Sequence, residues 1–188
     1  NQVIMNVHYL PEQIINYVNK NKFNLAINIV KEKDKILDTG GGVLNAIEYF
    51  ANETFIIINP DTIWNSYYLE ELKLMEKDFF ENNKKKCSLL VVNKDKSFDQ
   101  SFEGDFNLEN NLIKRNSKDN LNYIYTGLQI IKPEVFLGLN EKVFSMNKVW
   151  DKLIENNSLY GIESKIDFLH VSTLNIYKNL LKKKLSIK

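Results

Sequence analysis

Short apolar runs alternate with amphipathic segments along the first half of the chain, and this alternation restricts the possible folds more than any other feature. Each run is four to eight residues long and leads into residues with helical spacing, which is typical of a strand followed by a helix. Strands separated by helices favour right-handed crossovers. The pattern therefore predicts an α/β fold with a mainly parallel sheet and helices on both faces. The predicted strands cover residues 3–7, 23–30, 54–58 and 87–92, and the predicted helices follow Pro11 and cover residues 42–50 and 69–79.

The second half of the chain has a different pattern. Short strand-like pieces at 102–108, 112–115 and 123–131 predict an antiparallel addition to the sheet. A helix at 149–155, a strand-like piece at 166–171 and a closing helix at 174–185 follow. Because no repeat or low-complexity linker interrupts the chain, we expect one domain over residues 1–188.

Composition favours small-molecule or protein partners. The 25 basic and 24 acidic residues nearly cancel, so no strong field favours nucleic acid or a membrane surface. No apolar stretch approaches the ~20 residues needed to span a bilayer, and no leader is recognisable. The single cysteine, Cys87, lies in an apolar run, which predicts a buried thiol and a reducing, cytoplasmic setting.

Two motifs are candidates for a binding site. Asp61 follows the strand at 54–58, and ligands of parallel sheets bind beyond the carboxyl ends of strands. The run from Thr39 to Gly42 precedes a predicted helix, where glycines allow close backbone approach and free N–H groups can bind a ligand. Each motif also has a structural interpretation. The glycines can form a turn and helix entry, and Asp61 can cap the turn that follows.

The chain has two histidines, His8 and His170. His8 follows the first strand, and a hydrogen-bonded structural role is favoured over catalysis. For His170, a site role and a role in the core are equally compatible with its neighbours. Neither histidine forms a zinc-ligand spacing with Cys87.

Several blocks, in order, resemble bacterial sugar-1-phosphate nucleotidyltransferases, including the uridylyl- and guanylyltransferase members. The similarity extends over essentially the whole chain. The blocks are VIMNVHYLPEQI at 3–14, LDTGGGV at 37–43, FIIINPD at 55–61, GDF at 104–106, YTGLQ at 125–129 and FSMNKVWD at 144–151.

The resemblance implies a Rossmann-like sheet and an enzyme that joins a nucleoside triphosphate, UTP or GTP, to a sugar 1-phosphate with release of pyrophosphate. It also implies Mg²⁺, which takes few protein carboxylates and fills its other positions with phosphate and water. By residue, it implies a catalytic metal ligand at Asp61, nucleotide contacts at Thr39, Gly40, Gly41, Gly42 and Asn59, and sugar contacts at Thr126 and Gly127.

Two departures from the family pattern affect these expectations. Many relatives carry a second metal-binding Asp in a Trp-x-Asp-Val-Gly-Thr pattern, whereas this chain has FLHVST at 168–173 and therefore places His170 there. Imidazole is a poorer magnesium ligand than carboxylate. The family's opening strand and Gly-rich loop, with its Arg and a downstream Pro-Lys, have no match. We therefore expect an N-terminally incomplete domain that lacks its first strand.

The missing strand leaves alternatives open. The chain could be a non-catalytic remnant, or a subunit that binds a sugar phosphate or pairs with a separate N-terminal fragment. The gap could be filled by direct pairing of the strands at 3–7 and 55–59, by a swapped homodimer, or by that fragment. In each case the isolated chain is expected not to transfer nucleotide. We also expect Asp61, Gly41 and Gly127 to meet in one cleft.

Overall fold

A computed structural model describes residues 2–32, 35–116 and 120–185. The chain divides into two compact units, one formed by Asn1–Thr54 with Pro133–Lys152 and the other by Phe55–Lys132 with Leu153–Lys188. The prediction of a single domain stays a prediction. In chain order, the strands and helices are β1 (Gln2–Val7), α1 (Pro11–Lys20), β2 (Ala26–Lys31), α2 (Asp38–Ala46), β3 (Phe55–Ile58), α3 (Tyr68–Glu81), β4 (Cys87–Asn93), β5 (Asn107–Glu109), β6 (Leu112–Lys114), β7 (Tyr123–Ile131), α4 (Asn147–Glu155), β8 (Leu159–Ser164) and α5 (Leu174–Leu185).

The first unit contains a strand, helix, strand crossover, as predicted. β1 and β2 pair in parallel, with Gln2 opposite Ala26 and Val7 opposite Lys31. The helix between them begins with Pro11 in its first turn, where the missing N–H of proline costs no hydrogen bond.

The second unit contains a six-stranded mixed sheet in the order β3-β7-β4-β8-β6-β5. β7 is antiparallel to both β3 and β4, whereas β8 is parallel to β4. The α/β prediction is confirmed, and the antiparallel addition predicted at 123–131 is β7. β7 lies between β3 and β4, so the sheet is mixed rather than purely parallel. A nine-residue strand buried over most of its length requires a neighbour on each side.

Several element predictions were wrong. β8 was not predicted, although it is the parallel neighbour of β4. The piece predicted at 102–108 is a strand only at its end, in β5, and the piece at 166–171 contains only isolated bridges at Phe168 and His170. The helix predicted at 42–50 begins at Asp38, and a 3₁₀ turn, Ile47–Phe50, follows it.

The core of the second unit forms between α3 and the central strands. Tyr68, Met75 and Phe79 lie at helical spacing on α3 and are buried. They belong to one apolar cluster with three buried residues of β4 and β7, namely Leu90, Leu128 and Ile130. This packing holds the sheet whose strand ends carry the candidate site.

The direct-pairing alternative is not the arrangement found. β1 belongs to the two-stranded sheet of the first unit, and β3 is an edge strand of the six-stranded sheet. On β3, Ile56 and Ile58 are exposed at 40% and 55%. The swapped homodimer and the separate fragment stay predictions.

No helix in the described parts of the chain combines the length and apolar character needed to cross a membrane.

Candidate functional site

The turn that follows β3 is fixed by backbone contacts with β7. The amide of Asn59, the first residue after the strand, donates to the Gly127 carbonyl at 2.8 Å. The indole N–H of Trp64 donates to the Asn59 carbonyl at 2.9 Å. The predicted nucleotide residue Asn59 and the predicted sugar residue Gly127 are therefore neighbours in the second unit.

Two buried threonines support this turn. The Thr62 hydroxyl donates to the Thr126 carbonyl at 2.7 Å, and the Thr126 hydroxyl donates to the Leu90 carbonyl at 2.9 Å. Both side chains are buried. Thr126 thus links the turn after β3 to the centre of β4, and its hydroxyl is engaged within the protein.

Gly127 has a backbone that only glycine adopts easily. Its φ is +94°, and a Cβ at this position would lie 2.8 Å from the Cβ of Asn59. Both the left-handed backbone and the close approach of the turn require a residue without a side chain.

Asp61 and His170 are brought together by an isolated antiparallel bridge between Thr62 and His170. The Val171 amide donates to the Asp61 carbonyl at 2.7 Å, and the Ile63 amide donates to the Leu169 carbonyl at 2.8 Å. As a result, His170 Nε2 lies 3.2 Å from Asp61 Oδ2. The carboxylate is 48% exposed and the imidazole 20%, so solvent reaches the acidic side of the pair.

The hydrogen bond from His170, together with its charge when protonated, lowers the pKa of Asp61, although partial burial opposes the shift. Another carboxylate close to this imidazole, Asp99, also has a lowered pKa, chiefly because the Ser101 hydroxyl and amide donate to it. The Ser172 hydroxyl donates to the other Asp99 oxygen at 3.0 Å. The lowered pKa values favour the charged forms of both Asp61 and Asp99.

Two aromatic rings fix the plane of the imidazole. Phe168 stacks on His170 with centroids 5.6 Å apart, and Phe102 contacts it edge-on at 5.4 Å. Sequence reasoning did not select Phe102, Phe168 or Asp99 for the site. Only the FLHVST block pointed to this region, because it places Phe168 beside His170 in the chain.

The glycine run lies in the first unit and has a different environment from the one predicted. Gly40, Gly41 and Gly42 are inside α2, which begins at Asp38. The amides of Gly40 and Gly41 donate to the Phe144 carbonyl at 2.9 and 3.0 Å, and the Thr39 hydroxyl accepts from the Met146 amide at 2.9 Å. The prediction of free N–H groups is wrong for Gly40 and Gly41, because the chain itself supplies their acceptor.

Close packing explains why these positions are glycines. A Cβ on Gly40 would collide with the Phe144 ring, and one on Gly41 would collide with the Lys142 carbonyl. At Gly42, the Asn6 amide group donates to the carbonyl at 2.6 Å. Nucleotide binding by residues 39–42 stays a prediction, as does the meeting of Gly41 with Asp61 and Gly127.

His8 has the structural role that the sequence favoured. Its Nδ1 lies 2.8 Å from the Glu32 carbonyl, which makes a hydrogen bond across the end of the β1 and β2 pair.

The donor set around Asp61 does not fit the two-carboxylate magnesium site that the resemblance implied. Asp61 supplies a half-exposed carboxylate, but the second donor within reach is the imidazole nitrogen of His170. In the described ranges, no group of three or more His, Cys, Asp or Glu side chains could hold a metal ion. Magnesium prefers oxygen ligands, so a carboxylate paired with an imidazole does not fit it.

The chain is similar to known proteins both in sequence and in fold. No family model matches the chain. N-acetylmuramate alpha-1-phosphate uridylyltransferase from Caulobacter vibrioides is 22% identical over 173 residues, which is 89% of this chain and 71% of that protein.

Solved structures also match nearly the whole chain. HddC from Yersinia pseudotuberculosis matches with a TM-score of 0.70 at 19% identity, covering 97% of this chain and 78% of that one. The inositol-1-phosphate CTP transferase from T. maritima matches with a TM-score of 0.75 at 14% identity, covering 98% and 76%. These findings confirm the resemblance as a similarity: the chain is similar in sequence to a uridylyltransferase and shares its fold with the two solved structures.

Proposed function

We propose that this chain binds a nucleoside triphosphate, UTP or GTP, and a sugar 1-phosphate, and joins them into a nucleotide sugar with release of pyrophosphate. The observation that carries the proposal is the convergence of Asn59, Asp61, Thr126 and Gly127 beyond the end of β3, since the bonds of Asn59 and Thr62 to β7 hold this turn in place. The similarity to a uridylyltransferase, and the HddC structure complexed with GMP-PN, support a nucleotide substrate. A cytoplasmic location is part of the proposal.

The reaction requires few groups from the protein beyond binding and charge. A phosphate oxygen of the sugar 1-phosphate attacks the α-phosphorus and forms a P–O bond. The bond from that phosphorus to the oxygen bridging to the β-phosphate breaks, and pyrophosphate leaves with the electron pair. Catalysis of such a transfer depends mainly on positioning and on stabilisation of charge.

The residues of the site would have distinct roles in this scheme. Asp61 is the solvent-accessible carboxylate that would hold a cation, and that cation would offset the repulsion between the phosphates. Gly127, whose missing side chain lets Asn59 pack against β7, would contact the sugar through its backbone. Thr126 is a positioning residue, because its hydroxyl is bonded to Leu90.

The test is product formation with UTP or GTP and a panel of sugar 1-phosphates in the presence of divalent cations, followed by ³¹P NMR. The wild-type chain should give pyrophosphate and a new diphosphate diester. Asp61→Asn should lower turnover by about two orders of magnitude, because it removes charge and keeps volume. Glu70→Gln is the matched control, since Glu70 is an exposed carboxylate on α3.

A second measurement separates loss of catalysis from loss of binding. Calorimetric titration with the nucleotide sugar measures binding without turnover. The proposal is rejected if the chain shows no turnover and binds no nucleotide or sugar phosphate. It is also rejected if Asp61→Asn retains full activity. Binding without turnover would favour the non-catalytic alternative.

A further inference from the structure

Three large apolar side chains are exposed along one face of α5. Leu174, Tyr177 and Leu181 are 66%, 45% and 44% exposed. Their spacing of three and four residues places them on the same face of the helix. A different face holds α5 to the protein, since Leu180 is buried and Ile176 is half-buried. Leu174, Tyr177 and Leu181 therefore form an apolar stripe that is open to solvent.

The same helix is basic. Its sequence, LNIYKNLLKKKL, contains four lysines and no acidic residue. Lys178 and Lys182 are exposed and lie one turn apart, and Lys178 is a helical neighbour of both Leu174 and Leu181. The net charge of the whole chain is +1, so the four lysines of α5 leave −3 for all other residues. The nearly balanced composition of the chain therefore conceals a local basic surface.

Helix α5 is held in its folded form by a cap at its first turn. The hydroxyl of Thr173, which precedes the helix, accepts a hydrogen bond from the Ile176 amide at 3.2 Å. The Thr173 carbonyl accepts one from the Tyr177 amide at 3.0 Å. A threonine at this position satisfies amides of the first turn that have no acceptor within the helix. Because α5 is already folded, a partner that binds its exposed face bears no cost of ordering the helix.

An apolar stripe beside lysines is complementary to an anionic lipid surface in two respects. The lysine ammonium groups attract negatively charged headgroups. Leucine and tyrosine side chains can enter the boundary between headgroups and acyl chains, while the long lysine side chains reach back to the headgroups. A nucleic acid would be complementary to the lysines alone and would leave the stripe exposed. The combination of charge and apolar surface therefore favours a lipid bilayer over a polyanion.

We propose that the exposed face of α5 binds peripherally to an anionic lipid bilayer, with the helix lying in the plane of the interface. The strength of such binding depends on the apolar area that is buried and on the attraction to anionic lipids, so loss of either weakens it. The proposal concerns attachment and is independent of the nucleotide transfer proposed above.

Co-sedimentation of the 188-residue chain with lipid vesicles tests the proposal. One set of vesicles contains equal parts of phosphatidylglycerol and phosphatidylcholine, and the other contains phosphatidylcholine alone. At about 0.1 M salt, binding to the anionic vesicles should be about tenfold or more tighter than to the neutral ones. At about 1 M salt it should weaken, because screening shortens the range of the attraction. Equal binding to both sets, or no binding to the anionic set, overturns the proposal.

Two double variants separate the contribution of charge from that of the apolar stripe. Lys178→Gln combined with Lys182→Gln removes two positive charges and should weaken binding to the anionic vesicles about tenfold or more. Leu174→Ser combined with Leu181→Ser removes apolar area, keeps the charge and should also weaken binding about tenfold or more. Unchanged affinity in either folded double variant contradicts the proposal.

The matched control is Leu69→Ser combined with Leu74→Ser on α3. These leucines are exposed to a similar degree, but acidic residues outnumber lysines on their helix. Vesicle binding should be unchanged in the control, and an equal loss would show that α5 is not the attachment site. Far-UV circular dichroism checks folding. If the serine replacements on α5 prevent folding, the glutamine variant keeps every apolar side chain and still decides the test.

Two measurements without lipid test other partners for the same face. A DNA duplex and polyglutamate are soluble polyanions. If either binds as tightly as the anionic vesicles, and the serine replacements leave that binding unchanged, the face recognises charge alone and the proposal is wrong. Analytical ultracentrifugation tests for a second copy of the chain. A dimer that dissociates when Leu174 and Leu181 are replaced would also overturn the proposal, because the stripe would then be an interface between copies.

Discussion

Replacement of Gly127 by alanine tests how tightly the turn after β3 packs against β7. A left-handed backbone costs an L-residue about 1–2 kcal/mol. The φ of Gly127 is +94°, and the new Cβ would also lie 2.8 Å from the Asn59 Cβ, well inside ordinary contact. Overpacking of this kind costs about 1–3 kcal/mol.

Alanine also reduces the entropy of the unfolded chain, which offsets about 0.4–1 kcal/mol of this loss. The expected net loss in the free energy of unfolding is about 1–5 kcal/mol for Gly127→Ala. Gly138→Ala is the matched control, because Gly138 has φ +78° and nothing lies within 4 Å of its added Cβ. Without the contact, its expected cost is about 0–1.5 kcal/mol.

The assay is urea denaturation of both variants, followed by far-UV circular dichroism and by tryptophan fluorescence, with Trp64 reporting on the unit that contains Gly127. The difference between the variants isolates the contact with Asn59. A Gly127→Ala protein no less stable than Gly138→Ala would refute the reasoning, because the contact would then impose no measurable constraint.

Two further predictions concern buried titratable groups of the second unit. Burial and the nearby Glu71 and Asp167 raise the pKa of Tyr68 from 10.0 to about 12, so its stabilising contribution should be complete below pH 10 and lost as pH rises through about 12. Tyr68→Phe should abolish that alkaline loss in urea titrations, and an unchanged pH profile would contradict it. Burial raises the pKa of the fully buried Cys87 thiol, so a thiol reagent should label it only when the protein unfolds. Rapid stoichiometric labelling of folded protein would show that it is accessible.

Local periodicity accounts for what could be predicted about the fold. The helix at 174–185 and the strand at 123–131 have the predicted bounds in α5 and β7, because apolar spacing marks each element within its own sequence. β8 was missed because Leu159–Ser164 alternates weakly and contains Gly161. It is a strand because it pairs with β4 and because Gly161 packs against the Ile113 side chain.

The role of the glycine run also could not be predicted from local sequence. The sequence identified Gly40 and Gly41 as positions where backbone comes close to another group, but it did not identify that group. The structure shows the Phe144 carbonyl as the acceptor of both amides. A glycine needed for a ligand and one needed for packing have the same local signature, so only the tertiary contact distinguishes them.

The sequence by itself determined the α/β class, most of the helices and strands, and the position of Asp61 at the end of a strand, because each depends on residues close together in the chain. Only the tertiary structure decided that β7 lies between β3 and β4 and that Asp61 meets His170, 109 positions later. Strand order and side-chain contacts depend on pairing between distant segments, where the free energy comes from burial and hydrogen bonding across the whole unit. No local pattern records which distant segment will supply the partner.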